Sequence, residues 1–393
     1  MMTTRPLWAE ISTTRLRHNF QHLRSLAGRA ELLAIVKANG YGHGTTLCAE
    51  VLSHANAAWL GVTSVEEGIA VRAVAPKTPI LIMGGIWEEG AVLALEHRLT
   101  PVVWEPFHFD WLNNAARQLN RGSVEVHLEI DSGMSRQGVQ PERLPALLAA
   151  LQNAPVIHIS GIMTHFHSPE YLNGEATSAQ MRVFAQCVEQ VCEAGHRPEW
   201  LHAGNSASVI DSIGMPELEE LATQHGAKAM IRPGLSLYGY SPDFEGPGDR
   251  SGNVAAAAHP LQPVLSWKTR IISLREIEAG ETVGYCEGFR AARHSRIALL
   301  PAGYADGLRR SLSPGGEVLV RGQRAPFAGR ISMDLSSIDV TTIPDAKAGD
   351  EVVLIGRQGE EAITAAGHAR LAKTIPYEIL CGIAARVPRV RID

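Results

Sequence analysis

Lys37 stands in Ala34-Ile35-Val36-Lys37-Ala38-Asn39-Gly40-Tyr41, late in a strongly apolar run and just before a glycine-rich turn. An amine desolvated in such a run loses proton affinity and becomes nucleophilic. Two other segments offer a guanidinium and an imidazole, Asp131-Ser132-Gly133-Met134-Ser135-Arg136 and Thr164-His165-Phe166-His167. Two more, His202-Ala203-Gly204-Asn205-Ser206-Ala207 and Ile231-Arg232-Pro233-Gly234-Leu235, bring small residues whose backbone N–H groups suit a phosphate. Each residue alone has an ordinary reading. Lys37 fits a rim lysine with a solvated head, Arg136 a surface ion pair, His165 a satisfied rim histidine, and the small-residue segments plain loops.

The elements that must position these residues follow from the alternation of short apolar runs with segments of helical period between residue 31 and about 232. Strands are predicted over Leu32–Ala38, Trp59–Val65, Pro79–Gly84, Pro101–Glu105, Val124–Asp131, Val156–His165, Trp200–Gly204 and Ala229–Arg232. Helices are predicted over Thr13–Ala27, Glu66–Ala75, Glu89–Arg98, Pro141–Asn153 and Ser178–Ala194. Eight such units predict an α/β chain opening with a TIM-like (β/α)8 barrel, whose functional groups sit at the C-terminal ends of the strands. All five segments fall at such ends. A lysine nucleophile, a phosphate pocket and an arginine at one rim together describe lysine-bound pyridoxal phosphate better than any of them does singly.

The loop-like stretch Ser241–Asn253, rich in Gly, Pro and Asp, marks a change of texture. The barrel is placed at residues 12–250 and a mainly β domain at 251–393, with strand-like runs at Val264–Leu274, Ile297–Leu300, Val318–Val320, Ser336–Val340 and Val352–Ile355. An extra strand within residues 1–11 is a candidate to join that second domain.

Composition narrows the function classes. The 393 residues carry 36 Lys and Arg against 41 Asp and Glu, a net charge of -5 with scattered basic residues, so no nucleic-acid surface is indicated. The uncharged stretch from residue 146 to 168 is broken by Gln152, Asn153, Pro155 and histidines, which excludes a membrane span. Five cysteines without a C-x-x-C pair indicate neither a disulfide framework nor a zinc ribbon, and the polar N-terminus does not read as a secretory signal, so a cytoplasmic location is expected. His18 and His22, four apart on a predicted helix, lack a third ligand, and no metal is expected.

The segments above, together with Val283-Gly284-Tyr285, Pro301-Ala302-Gly303-Tyr304-Ala305-Asp306-Gly307, Gly329-Arg330-Ile331-Ser332-Met333-Asp334 and Thr374-Ile375-Pro376-Tyr377-Glu378, closely resemble the alanine racemase family. The likeness runs from Trp8 to about Arg389. It implies a PLP enzyme, a homodimer with active sites shared between subunits, that interconverts L- and D-alanine and supplies D-alanine for peptidoglycan. Lys37 then carries the cofactor, while Tyr41, Ser206, Gly234, Leu235 and Tyr377 hold its phosphate, with Asn205 in the same cofactor-binding set. Arg232 faces the pyridine nitrogen, where a second positive charge disfavours protonation and weakens the electron sink. His165 packs near the ring and links Arg232 to the catalytic tyrosine, Tyr285. Arg136 and the backbone N–H of Met333 take the substrate carboxylate. Tyr304 lines the entrance opposite Tyr377, with Arg310 and Arg330 farther out.

Racemisation removes a proton from one face of Cα and returns one to the other, so two opposed groups are required. The resemblance assigns them as Lys37 and Tyr285. Many family members carry a lysine, often carbamylated, where this chain has Glu129, and we expect the glutamate to replace the carbamate. Racemisation of serine or of a broader set of amino acids remains an alternative, as do a decarboxylase of the same barrel class and a non-catalytic PLP carrier. Such a carrier resembles the barrel alone, so the roughly 140 further residues count against it.

Overall fold

The computed structural model describes residues 4–171, 174–242 and 260–393. From residue 243 onward the loop placed at Ser241–Asn253, and with it the boundary at 250/251, lies outside the described residues. Two compact units are present: Leu16–Gly40 with Thr45–Gln262, and Met1–Arg15 and Tyr41–Gly44 with Pro263–Asp393. Strand β1 (Leu7–Ile11) belongs to the second.

In the first unit, eight parallel strands close into a barrel in chain order: β2 (Glu31–Ile35), β3 (Trp59–Val62), β4 (Ile80–Ile82), β5 (Thr100–Val103), β6 (Val124–Glu129), β7 (Ile157–Met163), β8 (Trp200–His202) and β9 (Lys228–Ile231). Closure comes from β2 pairing with β9, Glu31 opposite Met230 and Leu32 opposite Ile231. Strands covered on both faces read as continuous apolar runs, and Leu32 to Val36 are all buried. The outer helices present one apolar stripe each. In Glu175–Glu193 it is Met181, Phe184, Val188 and Val191, a helical spacing that lays one face on the barrel.

The strands stop earlier than the apolar runs do. β2 ends at Ile35, because Ala38, Asn39, Gly40 and Tyr41 adopt φ values of 53°, 55°, 59° and 52°. These left-handed residues cannot continue a strand, and the three that carry a Cβ are strained there. Lys37 therefore lies past the strand end, half-buried, rather than within the strand. β6 and β7 slip by one residue: Val126 faces Ile159 while His127 faces Gly161, which leaves Ser160 as a bulge.

In the second unit β1 pairs antiparallel with β10 (Leu265–Arg270), from Leu7 opposite Thr269 to Ile11 opposite Leu265. The remaining strands are β11 (Ser273–Ile277), β12 (Thr282–Val283), β13 (Phe289–Arg290), β14 (Ser295–Leu300), β15 (Glu317–Val320), β16 (Gln323–Pro326), β17 (Ser336–Asp339), β18 (Glu351–Gln358), β19 (Glu361–Ile363) and β20 (Arg389–Arg391). One sheet runs β16-β15-β18-β10-β1-β20 with β19 on β18, a second runs β11-β14-β17, and β12 pairs with β13. The run Val264–Leu274 is two strands in different sheets. Its corner is Ile271-Ile272, where one N–H goes to Asp350 O and the next to Leu299 O. Among the described residues no helix is long and apolar enough to cross a membrane.

Candidate active site

The barrel's strand ends gather the charged and polar groups of the first unit. A left-handed turn following Lys37 is clamped from outside: the Glu67 carboxylate accepts from Ala38 N at 2.7 Å and from Thr63 N at 2.8 Å. Within the turn, Gly40 N donates to Val36 O, and the Thr45 hydroxyl donates to the same carbonyl. Nothing in the sequence marked Glu67, an ordinary acidic residue in the first turn of helix Val65–Val74.

After β6, Asp131 shapes the next loop by accepting from Gly133 N and Ser135 N, both at 3.0 Å, and presents Arg136 at the surface. Glu129, the last residue of β6, is buried and accepts from the Gln137 side-chain amide, which also donates to Met83 O. Burial pushes the Glu129 carboxyl up to about 7, against the opposing pull of Arg232, the Gln137 amide and Arg136. It is therefore not the permanently ionised group that the ordinary value of about 4.3 implies.

Arg232, at the end of β9, is the centre of this rim. Its guanidinium is buried, and its Nη2 donates to Thr164 O at 2.6 Å and to His165 Nδ1 at 3.1 Å, while Nη1 reaches His202 Nδ1 at 3.4 Å. A guanidinium has no lone pair to offer, so His165 Nδ1 is the acceptor and the ring's proton is on Nε2. Burial, then the positive charges of Arg232, Arg136 and Lys37, hold His165 neutral with its pKa near 3. Desolvation also lowers Arg232, to about 10, which leaves it cationic at neutral pH. From helix Glu175–Glu193, Gln180 ties the two neighbouring loops together, donating to His165 O and Ser132 Oγ and accepting from His167 N.

Beyond β8, Asn205 caps the short helix Ser206–Asp211 by accepting from Ala207 N. Ser206 Oγ accepts from Gly234 N at 3.0 Å and Ser236 N at 3.2 Å. With its lone pairs occupied, that hydroxyl is left to donate its own proton. Gly234 N–H is thus spent on Ser206, and of the two adjacent backbone donors it is that of Leu235 which has no partner among the described residues. A half-buried amine, a buried guanidinium and a buried hydroxyl left to donate form a set that fits a phosphorylated pyridine aldehyde.

In the second unit, the rings of Tyr41 and Tyr377 lie 5.9 Å apart at 45°. Burial, followed by the charges of Tyr377 and Cys381, raises the Tyr41 phenol well above its ordinary value. Gly42 (φ 83°) is locked beside them, since a Cβ there would come within 2.1 Å of Leu380 O. Tyr304 and Met333 are brought together through backbone bonds from Tyr304 N to Ser332 O and from Ala305 N to Met333 O. Asp306 anchors this turn: its buried carboxylate accepts from Gly303 N, Arg5 and Arg386. Arg310 shares a surface hollow with Tyr304 and Arg309. Tyr285 is 70 % exposed, and its segment lies on that of Arg330, where a Cβ on Gly329 would meet Val283 O at 2.4 Å.

Residues 11–242 match the family described as "Alanine racemase, N-terminal domain", and residues 264–391 match "Alanine racemase, C-terminal domain". A curated alanine racemase of Halothermothrix orenii is 38 % identical over 389 residues, covering 98 % of this chain and 97 % of that protein. The crystal structure of alanine racemase from D-cycloserine-producing Streptomyces lavendulae is similar with a TM-score of 0.87 and 32 % identity, covering 100 % of this chain and 98 % of that one. The alanine racemase of Bartonella henselae, solved with covalently bound pyridoxal phosphate, is similar with a TM-score of 0.82 and 26 % identity over 98 % and 99 % of the two chains. With both domains matched and similarity running the full length, the chain belongs to the alanine racemase family and is an isomerase of that kind.

Proposed function

We propose that this protein interconverts L- and D-alanine with pyridoxal phosphate held on Lys37, by a two-base mechanism in which Lys37 serves one face of Cα and Tyr285 of the partner subunit the other. The observation that carries the reading is the Arg232 fork, buried among Thr164, His165 and His202 in the same charged neighbourhood as Lys37 and Arg136. Pyridoxal phosphate, when bound, supplies the electron withdrawal that makes the Cα proton labile.

The chain's own residues do the rest. The Ser206 hydroxyl, the Leu235 N–H and the phenols of Tyr41 and Tyr377 bind the phosphate, with Gly234 and Asn205 shaping that loop. Arg232 presents a fixed positive charge to the pyridine nitrogen, so a proton there is disfavoured. Arg136 and the Met333 N–H orient the substrate carboxylate, and the half-buried Lys37 amine takes or returns the proton on its face. A phenol, ordinarily near pKa 10, needs help to act as a base on the other. His165 supplies it, its Nε2–H being aimed by the bond that Nδ1 accepts from Arg232. The high exposure of Tyr285 supports its acting on a partner's site. Tyr304, with Arg310 and Arg330 farther out, restricts entry. We assign the protein to the cytoplasm, where D-alanine is needed for peptidoglycan synthesis.

The test is incubation of PLP-loaded protein with L-alanine, L-serine and L-lysine in D2O, reading D-enantiomer and Cα deuterium. Deuterated D-alanine formed fastest, and lost in both Lys37→Ala and Tyr285→Phe, is expected. Mixing those two inactive variants should restore about a quarter of the wild-type rate, because half the reassorted dimers each hold one intact site. No restoration sinks the shared site, and faster turnover of serine or lysine changes the substrate.

A further inference from the structure

Several irregularities of the barrel wall converge on His127, which the scheme above leaves without a task. The bulge at Ser160 sets His127 opposite Gly161, and bulges beside functional sites re-aim side chains. Glycine at 161 is needed for the ring, because a Cβ there would lie 2.7 Å from three of its atoms. The Trp59 ring packs against it with centroids 5.0 Å apart. His127 is fully buried, and its Nδ1 lies 2.8 Å from His202 Nε2.

The proton positions along this chain follow from one end. Arg232 only donates, so His202 Nδ1 accepts from Nη1. A neutral His202 then carries its hydrogen on Nε2 and donates it to His127 Nδ1. His127 in turn carries its hydrogen on Nε2, which has no hydrogen-bond partner among the described residues. Burial and the Arg232 charge keep both rings neutral. A buried N–H without a partner is costly, and an apolar ring would fill the same space without that cost. Packing alone therefore does not account for a histidine here.

We propose that His127 is a positioning residue: by accepting from His202 it fixes that ring's tautomer and orientation, and so holds the Arg232 guanidinium where it also meets Thr164 and His165. The inference rests on the reading that Arg232 faces the cofactor's pyridine nitrogen. Without the His127 acceptor, His202 is free to place its hydrogen on Nδ1, where it would oppose the Nη1 donor and push the fork out of register.

The experiment compares wild type with His127→Phe, which keeps a ring and removes the acceptor, and His127→Asn, whose amide oxygen can accept in place of Nδ1. Imidazole 15N spectra of the cofactor-free and PLP-loaded protein should show His127 and His202 both protonated at Nε2, with scalar coupling between His202 Nε2 and His127 Nδ1. In His127→Phe we expect kcat to fall about tenfold, one net hydrogen bond's worth, at little changed KM and with a shifted visible band of bound cofactor. His127→Asn should recover to within about threefold of wild type. A folded His127→Phe protein with wild-type kcat and spectrum overturns the proposal, and so does a His202 protonated at Nδ1 in wild type, a result that needs no variant to fold. Failure of the wild type to bind PLP would count against the proposed function, while the 15N spectra of the cofactor-free protein would still decide the tautomers.

Discussion

One nitrogen of Arg232, Nη2, bonds both the carbonyl oxygen of Thr164 and, 3.1 Å away, the Nδ1 of His165, so a single fork holds the backbone and the ring at the end of β7. An ammonium on a flexible stem has no fixed fork with which to reach Thr164, His165 and His202 together. Arg232→Lys should lower kcat/KM for alanine by about 100-fold, corresponding to about 2.7 kcal/mol, while changing the urea midpoint little. Steady-state kinetics beside an unfolding curve checks this, and a kcat/KM within about threefold of wild type would show that charge alone suffices.

Glu129 should make activity sensitive to pH near neutrality. Its folded pKa is raised to about 7, first by burial, so its carboxylate forms beside Arg136 and Arg232 only as pH rises through that value. We expect a limb in the pH–rate profile near 7 that disappears in Glu129→Gln, and no response of the wild type to added bicarbonate. An unchanged rate and profile in Glu129→Gln would remove the assigned role. For stability the sign is opposite to an ion-paired carboxylate. The folded state binds this proton more tightly, so the contribution is complete below the unfolded pKa and is lost as pH rises through 7.

Three buried histidines act in the other direction. His127 and His165 have pKa values near 3 and His202 lies well below its ordinary value, in each case first because of burial. The unfolded chain binds these protons near 6.5, so their contribution is full above that pH and is lost as pH falls toward 3. Three such groups outweigh the single opposing Glu129, and urea midpoints should drop steeply between pH 6.5 and 4. His127→Phe should flatten the slope; a midpoint independent of pH over that range would contradict the neutral assignment.

Asp306 joins the N-terminal segment, through Arg5, to the turn that carries Tyr304. Asp306→Ala removes a buried carboxylate and leaves Arg5 and Arg386 without it. Both guanidiniums are more than a third exposed by their side chains, at 35 % and 42 %, so solvent takes up the charges left behind, and the expected loss is that of the buried Gly303 N–H left without its acceptor, about 1–3 kcal/mol. Calorimetry reads the stability loss. A raised KM with kcat nearly preserved would tie the turn to substrate access, and unchanged KM would make the anchor purely structural.

Read from the residues alone, the barrel was legible because its strands are buried on both faces, and Leu32–Val36 or Trp59–Val62 must then be apolar without interruption. Lys37, Arg136, His165 and Arg232 were legible as chemical groups at the C-terminal ends of those strands, and family likeness implied their roles. Strand ends were not legible, since the left-handed turn at Ala38–Tyr41 depends on the Glu67 clamp and on neighbours that no local pattern displays. Nor was the ionisation of Glu129, which burial among Gln137, Arg136 and Arg232 decides. His127 reads in Val124-Glu125-Val126-His127-Leu128-Glu129 as one more polar residue of a strand. Only the bulge at Ser160, the missing Cβ of Gly161 and the approach of His202 from another strand give it a partner. Local sequence determines which residues can be buried or strained, whereas hydrogen-bond direction and proton affinity are properties of groups distant in the chain, and exist only once the barrel has closed.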